Sequence, residues 1–139
     1  MAKGEKRMKK KHVIILVAFI VIIAAIFAVS QIMANLEANL EQLADLKISN
    51  VDLSKIEDGT YDGSYKAFPV SAEVKVTVKN HIITEIVLIE HVNGQGKSAE
   101  IIPGKVVEAQ SLEVDIVSGA TYSSKVILKA IENALVNDR

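Results

Sequence analysis

The stretch that decides the fold is residues 70–90, VSAEVKVTVK-NH-IITEIVLIE, in which two largely apolar runs flank the pair Asn80-His81. In residues 70–79 apolar and polar side chains alternate, and this period of two predicts a β-strand with one face in the core and one in water. Residues 82–90 are apolar at most positions and predict a more deeply buried strand. Asparagine tolerates positive φ, so the pair predicts a tight turn; histidine where glycine is usual leaves its type open.

The flanking sequence supplies the remaining elements of a small α+β domain. Residues 60–67 predict a neighbouring strand, which gives an antiparallel sheet of at least three strands. Pro103 suits the first turn of a helix that carries Val106, Val107 and Gln110, and a short extended piece is predicted around Val114. Apolar residues then recur at helical spacing and predict a last helix over residues 123–136. The predicted fold is thus a three-or-more-stranded antiparallel sheet packed with two or more helices.

An uninterrupted apolar run lies near the start of the chain. Residues 13–29 are 17 consecutive apolar residues, and Ile32, Met33 and Ala34 extend the run. At about 1.5 Å per residue, a helix of this length spans roughly 25–33 Å, the hydrocarbon thickness of a bilayer. Residues 13–34 therefore predict one transmembrane helix that precedes the domain.

The charges that flank this run predict its direction. Residues 1–12 carry six Lys and Arg against one acid, whereas Glu37, Glu41 and Asp45 follow the run. The positive-inside rule places the N-terminus in the cytoplasm and the domain on the extracytoplasmic side. A cleaved signal peptide, cut before Gln31, is the alternative, but its apolar core is typically only about 7–15 residues long, so an anchor is preferred.

Between the apolar run and the domain, leucines at positions 36, 40, 43 and 46 recur at helical spacing. They predict that the helix continues as an amphipathic stalk, whose leucine stripe either packs on the domain or forms a dimer seam. Residues 48–57 predict an irregular linker. The expected organisation is a basic cytoplasmic tail (1–12), a transmembrane helix (13–34), a stalk and linker (35–57) and a folded domain (58–139).

Composition excludes several classes of function. Residues 13–139 carry ten basic against sixteen acidic side chains, which disfavours nucleic acid as a partner. The chain has no cysteine, and its three histidines are too scattered to predict a metal site. The segment 91–98, HVNGQGKS, would need glycine at His91 to form a nucleotide-triphosphate loop, so that function is rejected.

The sequence DIVSGAT at residues 115–121 matches the flavinylation motif D-x-x-[ST]-G-A-T. It is predicted to lie on a turn that leads into the last helix, where unpaired backbone amides and the helix dipole favour a phosphate. Gly119 allows close backbone approach, and Ala120 keeps bulk away from Thr121. The alternatives are helix N-capping by Thr121, Ser118 or Ser123 and a solvated Asp115 at a strand end.

Residues 58–136 resemble the FMN-binding domain family in three segments. These are the opening DGTYDGSY (58–65), the middle IPGKVVEAQS (102–111) and the motif with its continuation YSS (122–124). The family includes the covalent-flavin subunits of the sodium-pumping NADH:quinone reductase and of the Rnf complex, together with small membrane-anchored proteins, which this chain matches best in length.

The resemblance implies specific roles for the motif and for one loop. Thr121 would carry FMN through a phosphoester bond, with Ser118, Gly119 and Ala120 around the attachment point. A separate flavin transferase, which uses FAD and magnesium, would read Asp115. Asn93, Gly94 and Gly96 would lie beside the flavin ring or its phosphate, although a plain surface turn is an equal alternative for this loop.

The expected function is that of a membrane-anchored extracytoplasmic electron carrier with covalent FMN. Its expected partners are a flavin transferase, membrane lipid, a membrane electron donor such as a quinone or quinone-linked dehydrogenase, and an extracytoplasmic acceptor. The domain is too small for a second substrate pocket, so no catalysis by the isolated chain is expected. Two alternatives stay open: a flavin subunit of a larger ion-pumping or reductase complex, and an unflavinylated binding or sensor module.

Overall fold

The computed structural model describes residues 2–136 of the chain, and the side chains of residues 9–136. The predicted basic tail (1–12) and the end of the predicted domain (137–139) lie partly or wholly outside these residues. The described elements are α1 (Ala2–Ala44), a 3-10 turn (Leu53–Lys55), β1 (Gly59–Ala67), β2 (Val70–Lys79), β3 (Ile82–Val92), a 3-10 helix (Lys97–Ile101), α2 (Ile102–Ala109) and α3 (Thr121–Val136). The strands form an antiparallel sheet in the order β1-β2-β3, which confirms the predicted fold class.

The chain divides into two compact units, Met1–Glu37 and Ala38–Arg139. Within the described residues, α1 is the one helix that is long and apolar enough to cross a membrane, and its most apolar part has a mean hydropathy of 3.3. The side chains of this part are exposed, as expected of a helix whose covering is lipid rather than protein. A helix that can span the membrane is therefore confirmed, while its direction stays a prediction.

The turn between β2 and β3 has both central residues in the left-handed region, with φ of 53° at Asn80 and 61° at His81. Two such residues in a two-residue hairpin loop are the mark of a type I′ turn. Asp58 stabilises the turn because its Oδ1 accepts a 2.6 Å hydrogen bond from the Asn80 N–H, and His81 Nδ1 donates to the Ile56 carbonyl at 2.9 Å. These contacts explain how histidine occupies a position that usually needs glycine.

The core lies between one face of the sheet and the helices. All five apolar residues on the inner face of β2 are buried, as their alternation predicted. Helix α3 packs across β1 and β2, and α2 packs on β3. The buried face of α3 supplies Val126, Ile127, Ala130, Ile131, Ala134 and Leu135.

Strand β3 is less buried than predicted, and this prediction was wrong. Ile82, Val87, Ile89 and Val92 are between 41% and 51% exposed. The helices cover only the inner face of the sheet, so the outer side chains of this edge strand stay in water. Bulges shift the pairing with β2 at two places, between Glu73 and Val74 and between Thr77 and Val78 of β2.

The segment predicted as an irregular linker is attached to the domain. It contains a 3-10 turn, and Ile56 is buried in the same core as Leu43 near the end of α1. Leu40 and Leu46 pack against that core as well, so these three leucines of the stripe cover the domain rather than facing outward. Asn50 fixes the segment because its Oδ1 accepts a 3.1 Å hydrogen bond from the Leu112 N–H.

Asp52 caps the 3-10 turn of this segment. Its Oδ1 accepts hydrogen bonds from the Ser54 hydroxyl at 2.6 Å and from the Ser54 N–H at 3.2 Å, and its Oδ2 pairs with Lys55 at 3.0 Å. The Ser54 hydrogen bond and then Lys55 lower the pKa of Asp52 to about 2. The cap therefore stays ionised throughout the physiological pH range.

Helix α2 has Pro103 in its first turn, as predicted, but it ends at Ala109, so Gln110 lies just beyond the helix with φ of 51°. The Gln110 carboxamide accepts from the Ile83 N–H and donates to the Ile83 carbonyl, both at 2.8 Å, and so covers part of the open edge of β3. Val114, where a short extended piece was predicted, lies in the loop that leads into the motif. Helix α3 begins at Thr121, two residues earlier than predicted.

Candidate functional site

The turn that precedes α3 is formed by residues 117–120. The Ala120 N–H donates to the Val117 carbonyl at 3.0 Å, and Gly119 has φ of 79°. Glycine with positive φ at the third position is the signature of a type II turn, and a side chain there would be strained. The Val117 N–H donates to Ser124 Oγ at 3.0 Å, so the turn is fixed to the first turn of α3.

The first hydrogen bond of α3 runs from the Ser124 N–H to the Ala120 carbonyl at 2.9 Å. Ala120 therefore occupies the N-cap position, and it has no side-chain oxygen that could cap the helix. Within residues 2–136, the backbone N–H groups of Thr121, Tyr122 and Ser123 have no hydrogen-bond acceptor. Thr121 is the first helical residue, so ordinary N-capping does not account for it.

Thr121 is half-buried, Ser118 and Gly119 are exposed and Ala120 is buried. The Thr121 hydroxyl makes no hydrogen bond to the part of the chain that the structure describes. A partly accessible hydroxyl next to three free N–H groups at the positive end of a helix dipole is a favourable place for a phosphate ester. The geometry at Thr121 thus fits an attached phosphate.

The loop of residues 93–96 lies against this helix start. The Asn93 carbonyl accepts a 2.7 Å hydrogen bond from the Gly96 N–H, and Gly96 is buried against Ser123. A Cβ on Gly96 would collide with the Ser123 side chain, so only glycine allows this approach. Gly94 is exposed in the same loop. The loop and the motif are therefore neighbours, and contact of Asn93, Gly94 or Gly96 with FMN stays a prediction.

Asp115 is exposed and lies in an open cleft of about 450 Å³ beside α2. The other residues that line this cleft are Lys105, Glu108, Ala109, Glu113 and Val114. Lys105 Nζ donates to the Asp115 carbonyl at 3.5 Å, which leaves the carboxylate facing solvent. The structure places the Asp115 carboxylate where another protein can reach it, and its role in transferase recognition stays a prediction.

The sequence analysis assigned no functional role to one polar residue near the loop, His91, which it considered only as a metal ligand and as a position of a nucleotide-triphosphate loop. His91 pairs with Ala72 on the inner face of the sheet, and its side chain is 2% exposed. Nδ1 lies 3.2 Å from Glu100 Oε1, while Nε2 is buried without a hydrogen-bond partner in the described residues. An unpaired buried polar atom costs about 1–3 kcal/mol, so its retention requires an explanation.

These features together fit FMN better than a metal ion. Among the described residues, no group of three His, Cys, Asp or Glu could hold a metal. The free amides at the start of α3 suit a phosphate, and the buried Nε2 of His91 suits a polar group of a ligand beside the loop.

Comparison with known proteins identifies the same segment. Residues 69–136 match the family model described as FMN-binding domain. An uncharacterized protein of Treponema pallidum (strain Nichols) is 27% identical over 101 residues, which cover 70% of this chain and 28% of that protein. A NADH:acrylate oxidoreductase of Vibrio harveyi is 29% identical over 92 residues, which cover 64% of this chain and 9% of that protein. The aligned segments cover less than a third of either relative, and residues 69–136 of this chain match the FMN-binding domain family.

Proposed function

We propose that this protein is a membrane-anchored electron carrier whose FMN is joined through its phosphate to Thr121. The observation that carries the proposal is the coincidence of the FMN-binding match over residues 69–136 with a hydroxyl at the first residue of α3, beside three unpartnered N–H groups. When bound, FMN supplies the redox chemistry. The chain holds the phosphate, exposes the flavin to partners and fixes it near the membrane.

Attachment is a transfer of FMN from FAD. The Thr121 hydroxyl oxygen attacks the phosphorus on the FMN side of the FAD diphosphate, the bond to AMP breaks, and AMP leaves with the electron pair. The hydroxyl proton is passed to a base of the transferase. Threonine alone is a weak nucleophile, so a flavin transferase with a magnesium ion must supply the base and neutralise the diphosphate. The exposed Asp115 carboxylate beside its cleft is the feature that the transferase reads.

The electron-carrier function predicts a specific redox behaviour of the purified flavinylated chain. Its flavin should be reduced by dithionite and reoxidised by a soluble acceptor, because the Ser118-Gly119 turn that precedes the attachment site is exposed. It should not oxidise NADH steadily without membranes, since hydride transfer needs a second pocket beside the ring. Stopped-flow absorbance of the flavin measures both, and sustained NADH turnover by the chain alone would show a self-contained reductase instead.

The anchored, extracytoplasmic arrangement predicts a clear outcome of proteolysis. The motivating features are the basic residues 1–12 before the apolar run and the acidic residues Glu37, Glu41 and Asp45 after it. Protease added to intact spheroplasts should digest residues 38–139 and leave a small N-terminal fragment, detected with a tag at each end. A cytoplasmic protein of known location serves as the control for intact cells. Complete protection of the domain would place the flavin in the cytoplasm and reject this arrangement.

A flavin subunit of a larger reductase is the second candidate. It is favoured by the match to a NADH:acrylate oxidoreductase of which the aligned segment is only 9%. A carrier should purify from membranes alone with its flavin, whereas a subunit should co-purify with larger redox proteins after mild crosslinking. Colourless protein from a host with an active flavin transferase would instead support an unflavinylated binding or sensor module.

A further inference from the structure

Among the described side chains of residues 9–136, His91 Nε2 is the one buried polar atom that has no hydrogen-bond partner. The ring is held from its other nitrogen, since Nδ1 lies 3.2 Å from the Glu100 carboxylate. A histidine whose Nδ1 donates to a carboxylate has a fixed tautomer and orientation, and its Nε2 is left for a third group. The pair therefore has the form of a prepared ligand contact.

The position of His91 connects it to the motif. It is followed directly by the loop of residues 93–96, whose last residue packs against Ser123, two residues beyond Thr121. Asn93 reinforces this connection because its Nδ2 donates to the His91 carbonyl at 3.5 Å. Glu100 lies on the 3-10 helix that follows the loop, and that helix packs on α3. A ligand attached at the start of α3 and lying along this loop would therefore approach His91.

We propose that His91 is a positioning residue for the FMN: with the flavin attached, its Nε2 accepts a hydrogen bond from a donor of the FMN, a ribityl hydroxyl or the N3–H of the isoalloxazine ring, and Glu100 holds the imidazole for this contact. The proposal rests on the attachment of FMN at Thr121. Without this contact, attachment of FMN stabilises the fold less, because the buried Nε2 then lacks a hydrogen bond in the flavinylated chain as well as in the unflavinylated one. The unflavinylated chain already lacks the contact, so its stability does not depend on it.

The test compares the full chain, with and without co-expressed flavin transferase, as wild type, His91→Leu, His91→Gln and Glu100→Gln. Glutamine places a polar atom near the position of Nε2, whereas leucine fills the space without one. We expect attachment of FMN to raise the melting temperature of the wild type. This rise should be mostly lost in His91→Leu and partly lost in Glu100→Gln. His91→Gln should show the rise again. His81→Asn, in the turn at the other end of β3, is the matched control and should keep the full rise.

Absorbance and potentiometry of the same samples distinguish the two donors. If the partner is a ribityl hydroxyl, His91→Leu keeps the flavin spectrum and midpoint potential of the wild type, whereas loss of a contact with the ring N3–H shifts both. Nitrogen NMR of the wild type provides a readout that needs no variant: the Nε2 resonance of His91 should move on flavinylation, and that of His81 should not. The role of His91 would be overturned if the wild type and His91→Leu showed an equal rise in melting temperature and equal spectra, and if the Nε2 resonance did not move. A wild-type protein without covalent flavin would overturn the proposed function itself, and this inference with it.

Discussion

Thr121→Ala is expected to abolish covalent flavin completely. Thr121 supplies the attacking oxygen, and Tyr122, the next residue along α3, offers no hydroxyl at the same position relative to the free helix amides. The fold should persist, because the side chain is half-buried and alanine favours a helix at its first residue. The measurement is flavin fluorescence of the protein band after denaturing electrophoresis, with intact mass to confirm one FMN on the wild type.

The control for Thr121→Ala is Thr60→Ala, an exposed threonine on the outer face of β1, which should be flavinylated like the wild type. Asp115→Ala is expected to slow loading without changing the melting temperature, since its carboxylate faces solvent and only its carbonyl is bonded, to Lys105. Flavin that survives denaturation in the Thr121→Ala protein would show that another residue is the attachment site. Undiminished loading of Asp115→Ala would remove this residue from transferase recognition.

The adjacent residues Ile82 and Ile83 should differ sharply when each is replaced by alanine. Ile83 is 1% exposed and faces the core, whereas Ile82 is 51% exposed on the outer face of the same strand. Deletion of buried methylene groups from isoleucine costs about 2–5 kcal/mol, and a surface substitution usually changes stability by less than about 0.5 kcal/mol. For a domain of this size, a loss of this magnitude lowers the melting temperature by roughly 10 °C or more.

Thermal unfolding followed by circular dichroism, on the full chain in detergent, measures this difference. The pair is internally matched because both changes remove the same atoms from the same strand, so β-propensity cancels in the comparison. Equal losses at the two positions would mean that the outer face of β3 is covered in the folded protein, and that the assignment of inner and outer faces is wrong.

Several features followed from the sequence because a local rule decides each of them. The strict alternation of residues 70–79 allows only one face of β2 to be buried, and the structure buries that face. Within a helix, Pro103 is tolerated only in the first turn, and an apolar run of 17 residues admits a helix long enough to span a bilayer. The motif at residues 115–121 predicted the FMN-binding domain, which the family match confirms, while the attachment to Thr121 stays a prediction.

Only the tertiary structure decided which residues of β3 face the core. Residues 86–89 are all apolar, so their sequence has no period from which an inner face could be chosen. Pairing with β2 and the two bulges place Ile86 and Leu88 inside and leave Val87 and Ile89 outside. The tertiary structure also decided the position of His91 beside Glu100 and the packing of residues 48–57 on the domain. They depend on contacts between distant parts of the chain, which a local pattern does not encode.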